Sequence, residues 1–232
     1  MGEDLDRTVL PDGMIAFPDP AAVFSGDVAA HRRVLQPLAS IPADWADRSW
    51  RGMLHFVAPI EPYEGLLGEE TTEFHSGYCR TNWIGFRVES GKYTFLGDFR
   101  FFRINKTFDG EHALANKQYW EDYYSKTEAS FAEVKANFER TGKLHRRNYR
   151  PSPWLTTLGG ESAAGNWASD RRVETVVGRD GREVAFPLTE DGRRFRFVGE
   201  VRGGAFRKNG ADGVLLFLDP ETQIALLTFE WT

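Results

Sequence analysis

Three aromatic residues, Tyr149, Trp154 and Trp167, stand in a polar, glycine-rich segment that shows neither helix nor strand periodicity. Aromatic side chains outside regular elements often anchor a ligand or a partner protein, because each one buries a large apolar area. Tryptophans in loops also often close the end of a sheet, so a purely structural role is an open alternative. The segment predicts a binding face built on these three residues.

The C-terminal region carries four carboxylates that could hold a cation or serve as acid and base: Asp212, Asp219, Glu200 and Glu230. Asp212 and Asp219 each stand beside a glycine or a proline, where the chemistry of turns explains them equally well. Combined with the two tryptophans, these aspartates predict an alternative site. It would be a pocket for a small molecule or a carbohydrate at the edge of the C-terminal sheet, a place of binding or of hydrolysis.

The remaining chemical motifs favour structural roles. Cys79 follows His75 by four residues, which on a strand is a separation of about 13 Å, too far for a nucleophile and its base. The histidines show no paired metal-ligand spacing. The pairs Gly159-Gly160 and Gly203-Gly204 do not match a phosphate-binding loop. We therefore predict no metal and no cofactor.

The composition is that of an ordinary globular protein, with 41% hydrophobic and 27% charged residues. A net charge of −5 disfavours nonspecific binding to nucleic acid or to an anionic membrane. No stretch approaches the length of a membrane span, the N-terminus lacks the order of a secretory signal, and a single cysteine suits a reducing compartment. We expect a cytoplasmic protein, and the excess of arginine over lysine suggests a bacterial source.

The elements that must position these residues begin with the C-terminal end. Three strands are predicted there, over 195–201, 214–218 and 224–231, with Asp219-Pro220-Glu221-Thr222 as the turn of a hairpin. The last two strands are nearly continuous in apolar residues, which is typical of strands covered on both faces. Upstream, residues 53–58 predict a strand that ends at Pro59, and alternating segments at 71–79, 83–88, 93–96 and 99–104 predict an antiparallel meander. Residues 172–177 and 182–186 predict a second hairpin.

Two helices are expected. The longer one runs from about 116 to 141, because six residues recur at helical steps and form one stripe: Trp120, Tyr124, Thr127, Phe131, Val134 and Phe138. Gly142 is expected to cap it. The shorter one passes through Val28, His31, Val34, Leu35 and Leu38, and a loop with Trp45 and Trp50 follows it.

The predicted fold class is therefore α+β, a largely antiparallel sheet with one long amphipathic helix and a shorter N-terminal helix packed on it. Residues 1–22 are rich in Pro, Gly and Asp, which predicts a loosely ordered N-terminal arm. Residues 23–232 are expected to form a single compact domain.

Two patches of sequence carry a family resemblance. One is Leu158-Gly159-Gly160 with Asn166-Trp167; the other is the C-terminal run from Phe197-Val198-Gly199-Glu200-Val201 through Leu216-Phe217-Leu218-Asp219-Pro220 to Thr228-Phe229-Glu230-Trp231. Over about the last third of the chain, they resemble the YwqG-like family of bacterial cytosolic proteins of largely unknown function. The family usually has a proline shortly after its Gly-Gly, where this chain has Glu161-Ser162. The resemblance implies one compact α+β domain and supplies no catalytic residues.

No catalytic constellation accompanies the mild acidity and the loop aromatics. The leading hypothesis is a non-enzymatic bacterial protein that binds another protein, as an adaptor or as the immunity partner of a toxin. The alternative is a small-molecule or carbohydrate-binding protein with the pocket described above.

Overall fold

The computed structural model describes residues 8–62, 66–107, 110, 112–145, 150–170, 172–178 and 180–231. The strands are β1 (Ile15–Ala16), β2 (Leu35–Pro42), β3 (Met53–Pro59), β4 (Cys79–Arg80), β5 (Trp83–Glu89), β6 (Lys92–Phe95), β7 (Thr157–Leu158), β8 (Val173–Val177), β9 (Glu183–Pro187), β10 (Arg196–Val201), β11 (Gly213–Asp219) and β12 (Ile224–Glu230). The α-helices are α1 (Pro20–Val23), α2 (Val28–Val34) and α3 (Ala113–Thr141). Short 3₁₀ helices occupy Ala43–Trp45, Glu69–Phe74, Phe99–Phe101, Arg103–Asn105, Asn166–Ser169 and Gly203–Ala205.

The fold is α+β with antiparallel sheets, as the sequence predicts. The main sheet has seven strands, in the order β4-β5-β12-β11-β10-β7, with β6 paired to β5. A second sheet has the order β1-β2-β3, and β8 pairs with β9 as a separate hairpin. The predicted C-terminal hairpin is confirmed, since β11 and β12 pair along their whole length from Gly213 opposite Glu230 to Asp219 opposite Ile224.

Both faces of the main sheet are covered. Side chains of β11 alternate between two cores, with Leu216 on one face and Phe217 on the other. The first core also receives α3 and the three-stranded sheet, and we call it the helix-side core. The second receives Trp167 of the 3₁₀ helix Asn166–Ser169 and Ala185 of β9, and we call it the hairpin-side core. This double coverage explains why the C-terminal strands are nearly continuous in apolar residues.

The long helix α3 packs through the predicted stripe. Trp120, Tyr124 and Thr127 are buried, while Phe131 and Phe138 pack against the helix-side core from its rim. The residue after the helix is the predicted cap, with a positive φ of 67° that glycine adopts without steric cost. In the described part of the chain, no helix combines the length and apolar character needed to cross a membrane.

The short helix α2 ends earlier than predicted. The placement of Leu35 and Leu38 in it is wrong, because both belong to β2, which pairs with β3. Pro37 disfavours a helix interior by removing a hydrogen-bond donor, and the ladder accommodates it at a shift of register between Pro37 and Ala39. The packing of α2 on the main sheet is confirmed by His31, whose Nε2 accepts a hydrogen bond from the Phe95 backbone N–H at 3.1 Å.

Residues 8–22, the described part of the predicted N-terminal arm, are attached to the rest of the fold. Ile15 and Ala16 pair with β2, and Met14 and Phe17 are buried. A loose arm is therefore wrong for this stretch, because a buried aromatic ring holds it in place; residues 1–7 lie outside the described residues. The single-domain assignment of residues 23–232 stays a prediction.

Two segments predicted as strands adopt other structure. Residues 71–79 lie mostly in the 3₁₀ helix Glu69–Phe74 and the turn that follows, and only Cys79 enters a strand. Residues 99–104 form parts of two consecutive 3₁₀ helices, the first capped by the Asp98 carboxylate, which accepts a hydrogen bond from the Arg100 backbone N–H at 2.8 Å. Local capping and the packing of Phe101 and Phe102 in the core explain the difference.

Candidate functional site

The structure separates the aromatic residues that the sequence groups into one binding face. Trp154 has no exposed surface and stands in the helix-side core, where its ring contacts Phe138 at a centroid distance of 5.0 Å. Trp167 is 1% exposed and packs on Phe217 in the hairpin-side core. The two rings therefore lie on opposite faces of the main sheet, inside the protein. Tyr149 lies outside the described residues.

The two candidate aspartates also stand apart, at opposite ends of β11. Asp212 is exposed just before the strand, and Asp219 is buried at its far end, about 23 Å away along the chain. The Asp219 carboxylate accepts hydrogen bonds from Arg193 at 2.9 and 3.0 Å and from the Thr222 hydroxyl at 2.6 Å. Although burial opposes it, these bonds lower the pKa of Asp219. It is a turn residue held in an ion pair, and the proposed pocket does not form around it.

The other two carboxylates named from the sequence do come together. Glu200 of β10 and Glu230 of β12 flank Gly213 of β11, and a Cβ at that glycine would lie 2.9 Å from Glu200 Oε1. Burial raises the pKa of both carboxyls, and the charge of Glu230 adds to the rise at Glu200. Glu230 also accepts a hydrogen bond from the Trp167 backbone N–H at 3.5 Å, so it caps the start of the 3₁₀ helix Asn166–Ser169. Capping explains Glu230, while the Glu200 carboxyl is bonded to the Thr156 side chain near Arg202.

Within the described residues, no group of three or more His, Cys, Asp or Glu side chains is placed to hold a metal ion. His75 and Cys79, the pair weighed as base and nucleophile, are also engaged elsewhere. The His75 Nε2 atom lies 2.9 Å from the Gly68 carbonyl oxygen, and burial raises the pKa of the Cys79 thiol well above its usual value. A thiol that stays protonated is a poor nucleophile.

A surface feature that the sequence did not single out is the connection between β2 and β3, residues 43–52, which we call the Trp50 ridge. Its base is closed by a hydrogen bond from the Ala43 backbone N–H to the Gly52 carbonyl at 2.9 Å. Its top is an Asx turn in which the Asp47 carboxylate accepts from the Ser49 backbone N–H at 2.9 Å and from the Ser49 hydroxyl at 2.6 Å. The Trp50 backbone N–H donates to the Asp47 carbonyl at 2.9 Å. These bonds fix the backbone of the ridge around Trp50.

The ridge is also linked to the main sheet. Arg196, the first residue of β10, donates a hydrogen bond from Nη1 to Asp47 Oδ2 at 3.2 Å. The hydrogen bonds from Ser49, and after them the charge of Arg196, lower the pKa of Asp47. The Asp47 carboxylate therefore stays ionised at neutral pH and joins the two elements.

Trp50 forms a wall of two open grooves. The first has a volume of about 580 Å³ and lies between the ridge and the turns that join β5 to β6 and β11 to β12. The second has a volume of about 430 Å³ and lies between the ridge, Gly159-Gly160 and the start of β10. Apolar contact in the second groove comes from Phe186 and Phe197. One indole therefore separates two adjoining hollows, each large enough for one or two side chains.

The charges around the ridge are unequal. Arg51 donates from Nη1 to the carbonyl oxygens of Arg48 and Trp50, both at 2.8 Å. Among the described residues, neither Arg48 nor Arg51 forms a salt bridge. On the second groove, Arg194 and Arg196 do have carboxylate partners. Of the described residues, Arg51 is the one charged residue that lines the first groove, while Arg48 and the exposed Asp44 lie elsewhere on the ridge.

Sequence reasoning placed Trp45 and Trp50 in one loop without distinguishing them. In the structure both are partly buried and pack against the helix-side core, but Trp45 also lies beside the turn at Gly13, whereas Trp50 lines both grooves. The local signal was available in Asp47-Arg48-Ser49-Trp50-Arg51, where an Asx-turn pattern and two arginines surround a tryptophan.

Comparison with known proteins finds no match to this chain among family models, curated proteins or solved structures.

Proposed function

We propose that this chain is a non-enzymatic protein-binding module, and that it binds an extended segment of its partner across the Trp50 ridge. The observation that supports this is the position of Trp50, one indole shared by two adjoining grooves on a ridge held by its own hydrogen bonds. Tryptophan and arginine are the residues most enriched where binding energy concentrates. A ridge that is already ordered loses little conformational entropy on binding.

The charges specify the segment. Arg48 and Arg51 favour carboxylates next to the ridge, while the apolar walls of the grooves favour a large apolar side chain on either side of Trp50. The proposed ligand is therefore a short acidic segment with apolar residues, and the protein acts as an adaptor or as the immunity partner of a toxin. A bacterial and cytosolic setting and the YwqG-like relation belong to this proposal. The carbohydrate or hydrolase alternative loses its support, since Trp154, Trp167, Asp212 and Asp219 do not converge.

A test is selection of random 12-residue peptides displayed on phage against the wild-type protein, followed by affinity measurement of the best synthetic peptide by fluorescence anisotropy. We expect the selected peptides to combine Asp or Glu with aromatic or aliphatic residues. Trp50→Ala should weaken binding by about 30-fold, as for a residue at the centre of an interface, and Arg51→Glu by about 10-fold.

The matched control is Arg32→Glu, the same charge reversal at an exposed position of α2. It should change the affinity by less than about 2-fold, in line with the small effect of remote surface charges. Thermal unfolding checks that each variant is folded. Peptides without acidic residues, or equal binding by the wild type, Trp50→Ala and Arg51→Glu, would refute the proposal.

A further inference from the structure

The hairpin-side face of the main sheet holds several buried hydrogen-bonding groups that have no partner among the described residues. Trp83 of β5 and Thr228 of β12 are directly opposite each other in the antiparallel ladder, so their side chains share that face. Neither side chain has exposed surface. Within the described residues, the indole Nε1 of Trp83 and the hydroxyl of Thr228 make no hydrogen bond. Buried polar groups in proteins nearly always have partners, so this pair calls for an explanation.

Tyr78 lies beside Trp83 because Gly85 leaves room for it. Gly85 is two residues after Trp83 on the same strand and therefore points to the same face. A Cβ at Gly85 would lie 2.7 Å from the Cβ of Tyr78, closer than real Cβ contacts allow. The two aromatic rings, indole and phenol, thus form one surface over β5.

Arg172 reaches over this aromatic surface from the loop that precedes β8. Its guanidinium carbon is 5.1 Å from the ring centroid of Trp83 and 5.8 Å from that of Tyr78. The Arg172 backbone N–H donates to the Asp170 carboxylate at 2.9 Å, which fixes the start of the side chain. Stacking on aromatic rings holds a guanidinium plane in place and leaves its N–H groups free to bind at the edge.

The Nε and Nη2 atoms form one edge of the Arg172 guanidinium, and this edge has no hydrogen-bond partner among the described residues. Both nitrogens are buried and, in the described part of the chain, make no hydrogen bond. The same edge of Arg194 binds the two oxygens of Glu174, with Nε and Nη2 each at 2.7 Å. This paired geometry matches a carboxylate or a phosphate, and it is the arrangement for which arginine is preferred over lysine.

The charges around the cluster are mixed: the cations Arg172 and Arg80 lie near several carboxylates, among them Glu190, Asp219 and Asp191. Burial lowers the pKa of Arg172, and the neighbouring positive charge of Arg80 lowers it further. The charges of Asp170 and Glu190 raise the pKa of Arg172 in opposition to these effects. Asp170 accepts a hydrogen bond from Arg80 Nε at 2.6 Å, and Glu190 is exposed. The Asp170 carboxylate is already engaged with Arg80, so the free edge of Arg172 has no anionic partner of its own.

We propose that Arg172, Trp83 and Thr228 bind an oxyanion, the carboxylate or phosphate group of a small ligand. Guanidinium, indole and hydroxyl groups can all donate, so an acceptor with several oxygens satisfies them together. Arg172 is only partly buried, so it lies where the cluster meets the surface. An open groove of about 690 Å³ borders Tyr78 and is also lined by His75, Ser76 and Leu96, with Glu73 and the ion pair of Asp98 and Arg100 at its rim. Arg172, Trp83 and Thr228 do not line this groove, and Tyr78 is the residue that it shares with the cluster, so the proposal places the rest of the ligand beside Tyr78.

The test uses sodium phosphate and sodium acetate as probes, with sodium chloride at the same ionic strength as the reference. Thermal unfolding and calorimetric titration measure binding, and the indole N–H resonance of Trp83, assigned with Trp83→Phe, reports the location by NMR. We expect at least one oxyanion to raise Tm above the chloride reference and to shift the Trp83 resonance. Tighter binding of phosphate would indicate that the ligand carries a phosphate group, and tighter binding of acetate would indicate a carboxylate.

The variants separate this site from general ion effects. Arg172→Met keeps the length and apolar stem of the side chain and should weaken binding at least 10-fold, and Thr228→Val, nearly the same shape without the hydroxyl, should weaken it several-fold. Arg182→Met, which removes an exposed arginine from the β8–β9 hairpin, should leave binding unchanged. If neither oxyanion acts beyond chloride, or if Arg172→Met and Thr228→Val bind as the wild type does, the proposal is wrong. The outcome is independent of the Trp50 ridge.

Discussion

The hydroxyl of Tyr124, on α3, donates a hydrogen bond to Oε2 of Glu61, just beyond the end of β3, at a distance of 2.7 Å. The same carboxyl group accepts from the Arg103 backbone N–H at 2.9 and 3.0 Å. Glu61 is 1% exposed, so this contact lies wholly between the long helix and the rest of the protein. It is one of several polar contacts of α3, together with the hydrogen bond from the Tyr123 hydroxyl to the Pro62 carbonyl, and it makes the stability of this interface sensitive to pH.

Removal of the Tyr124 hydroxyl should destabilise the protein. In Tyr124→Phe the buried Glu61 carboxyl loses a donor, and an unsatisfied buried group costs about 1–3 kcal/mol. The free energy of unfolding from urea titration measures the loss. Tyr119→Phe, the same change at a half-exposed position of α3, should cost less than about 0.5 kcal/mol. Equal losses in the two variants would contradict the role assigned to the buried hydrogen bond.

The contribution of Glu61 to the free energy of unfolding should fall as pH rises from about 4.5 to 7. Burial raises the pKa of Glu61 to about 7 in the folded state, against 4.5 as the ordinary value. The folded state then holds a proton that the unfolded state has released, so stability is full below 4.5 and is lost as pH rises through 7. The loss is about 3 kcal/mol.

The measurement is the pH dependence of the free energy of unfolding for the wild type and for Glu61→Gln, which cannot titrate. The difference between the two curves isolates Glu61 from other buried groups, among them His31 and His55, whose pKa values burial lowers. The wild-type curve should fall relative to that of Glu61→Gln. Parallel curves would mean that Glu61 is already ionised in the folded protein.

A methyl group at Gly85 should be strongly destabilising. It would meet the Tyr78 Cβ at 2.7 Å and the Tyr78 carbonyl oxygen at 3.1 Å, and neither is the end of a flexible side chain. Overpacking of this kind costs about 1–3 kcal/mol. Gly204→Ala is the control, because its added methyl would find only the Gly210 carbonyl, at 3.7 Å. Urea unfolding of both variants compares the sites, and a mild loss at Gly85 would show that Tyr78 can leave the sheet.

Cys79 should resist thiol reagents until the protein unfolds. The side chain is fully buried, and burial raises the pKa of its thiol well above the usual value. Reaction with Ellman's reagent in native buffer at pH 8 should be slower than in 6 M urea by a factor of about 100 or more, since the reactive thiolate must first be exposed. Rapid labelling of the folded protein would show that the region around β4 opens locally.

The sequence predicts an element correctly where the local residue pattern favours the same structure as the packing in the folded protein. The C-terminal hairpin combined apolar strands with an Asp-Pro turn; β11 is one residue longer than predicted at each end, and β12 ends one residue earlier than predicted. The apolar stripe from Trp120 to Phe138 predicted α3, and the helix begins three residues earlier than expected. In both elements the local preference and the tertiary environment point to one structure.

The failures come from residues whose environment is set by distant parts of the chain. Leu35 and Leu38 fit a helical period, but pairing with β3 places them in a strand. Trp154 and Trp167 lie in segments without regular structure, and nothing local shows that other elements bury them. The grooves beside Trp50 are made by turns from widely separated parts of the sequence, so only the ridge itself could be identified from its residues.

The order of strands in the main sheet has a consequence for synthesis of the protein. β5 pairs in the sheet with β12, which lies far later in the sequence and is therefore made after it. A nascent chain on the ribosome therefore carries β4, β5 and β6 with an open apolar edge until residues 224–230 leave the exit tunnel. Strands exposed in this way are prone to intermolecular pairing, so β5 is open to such pairing until β12 joins it.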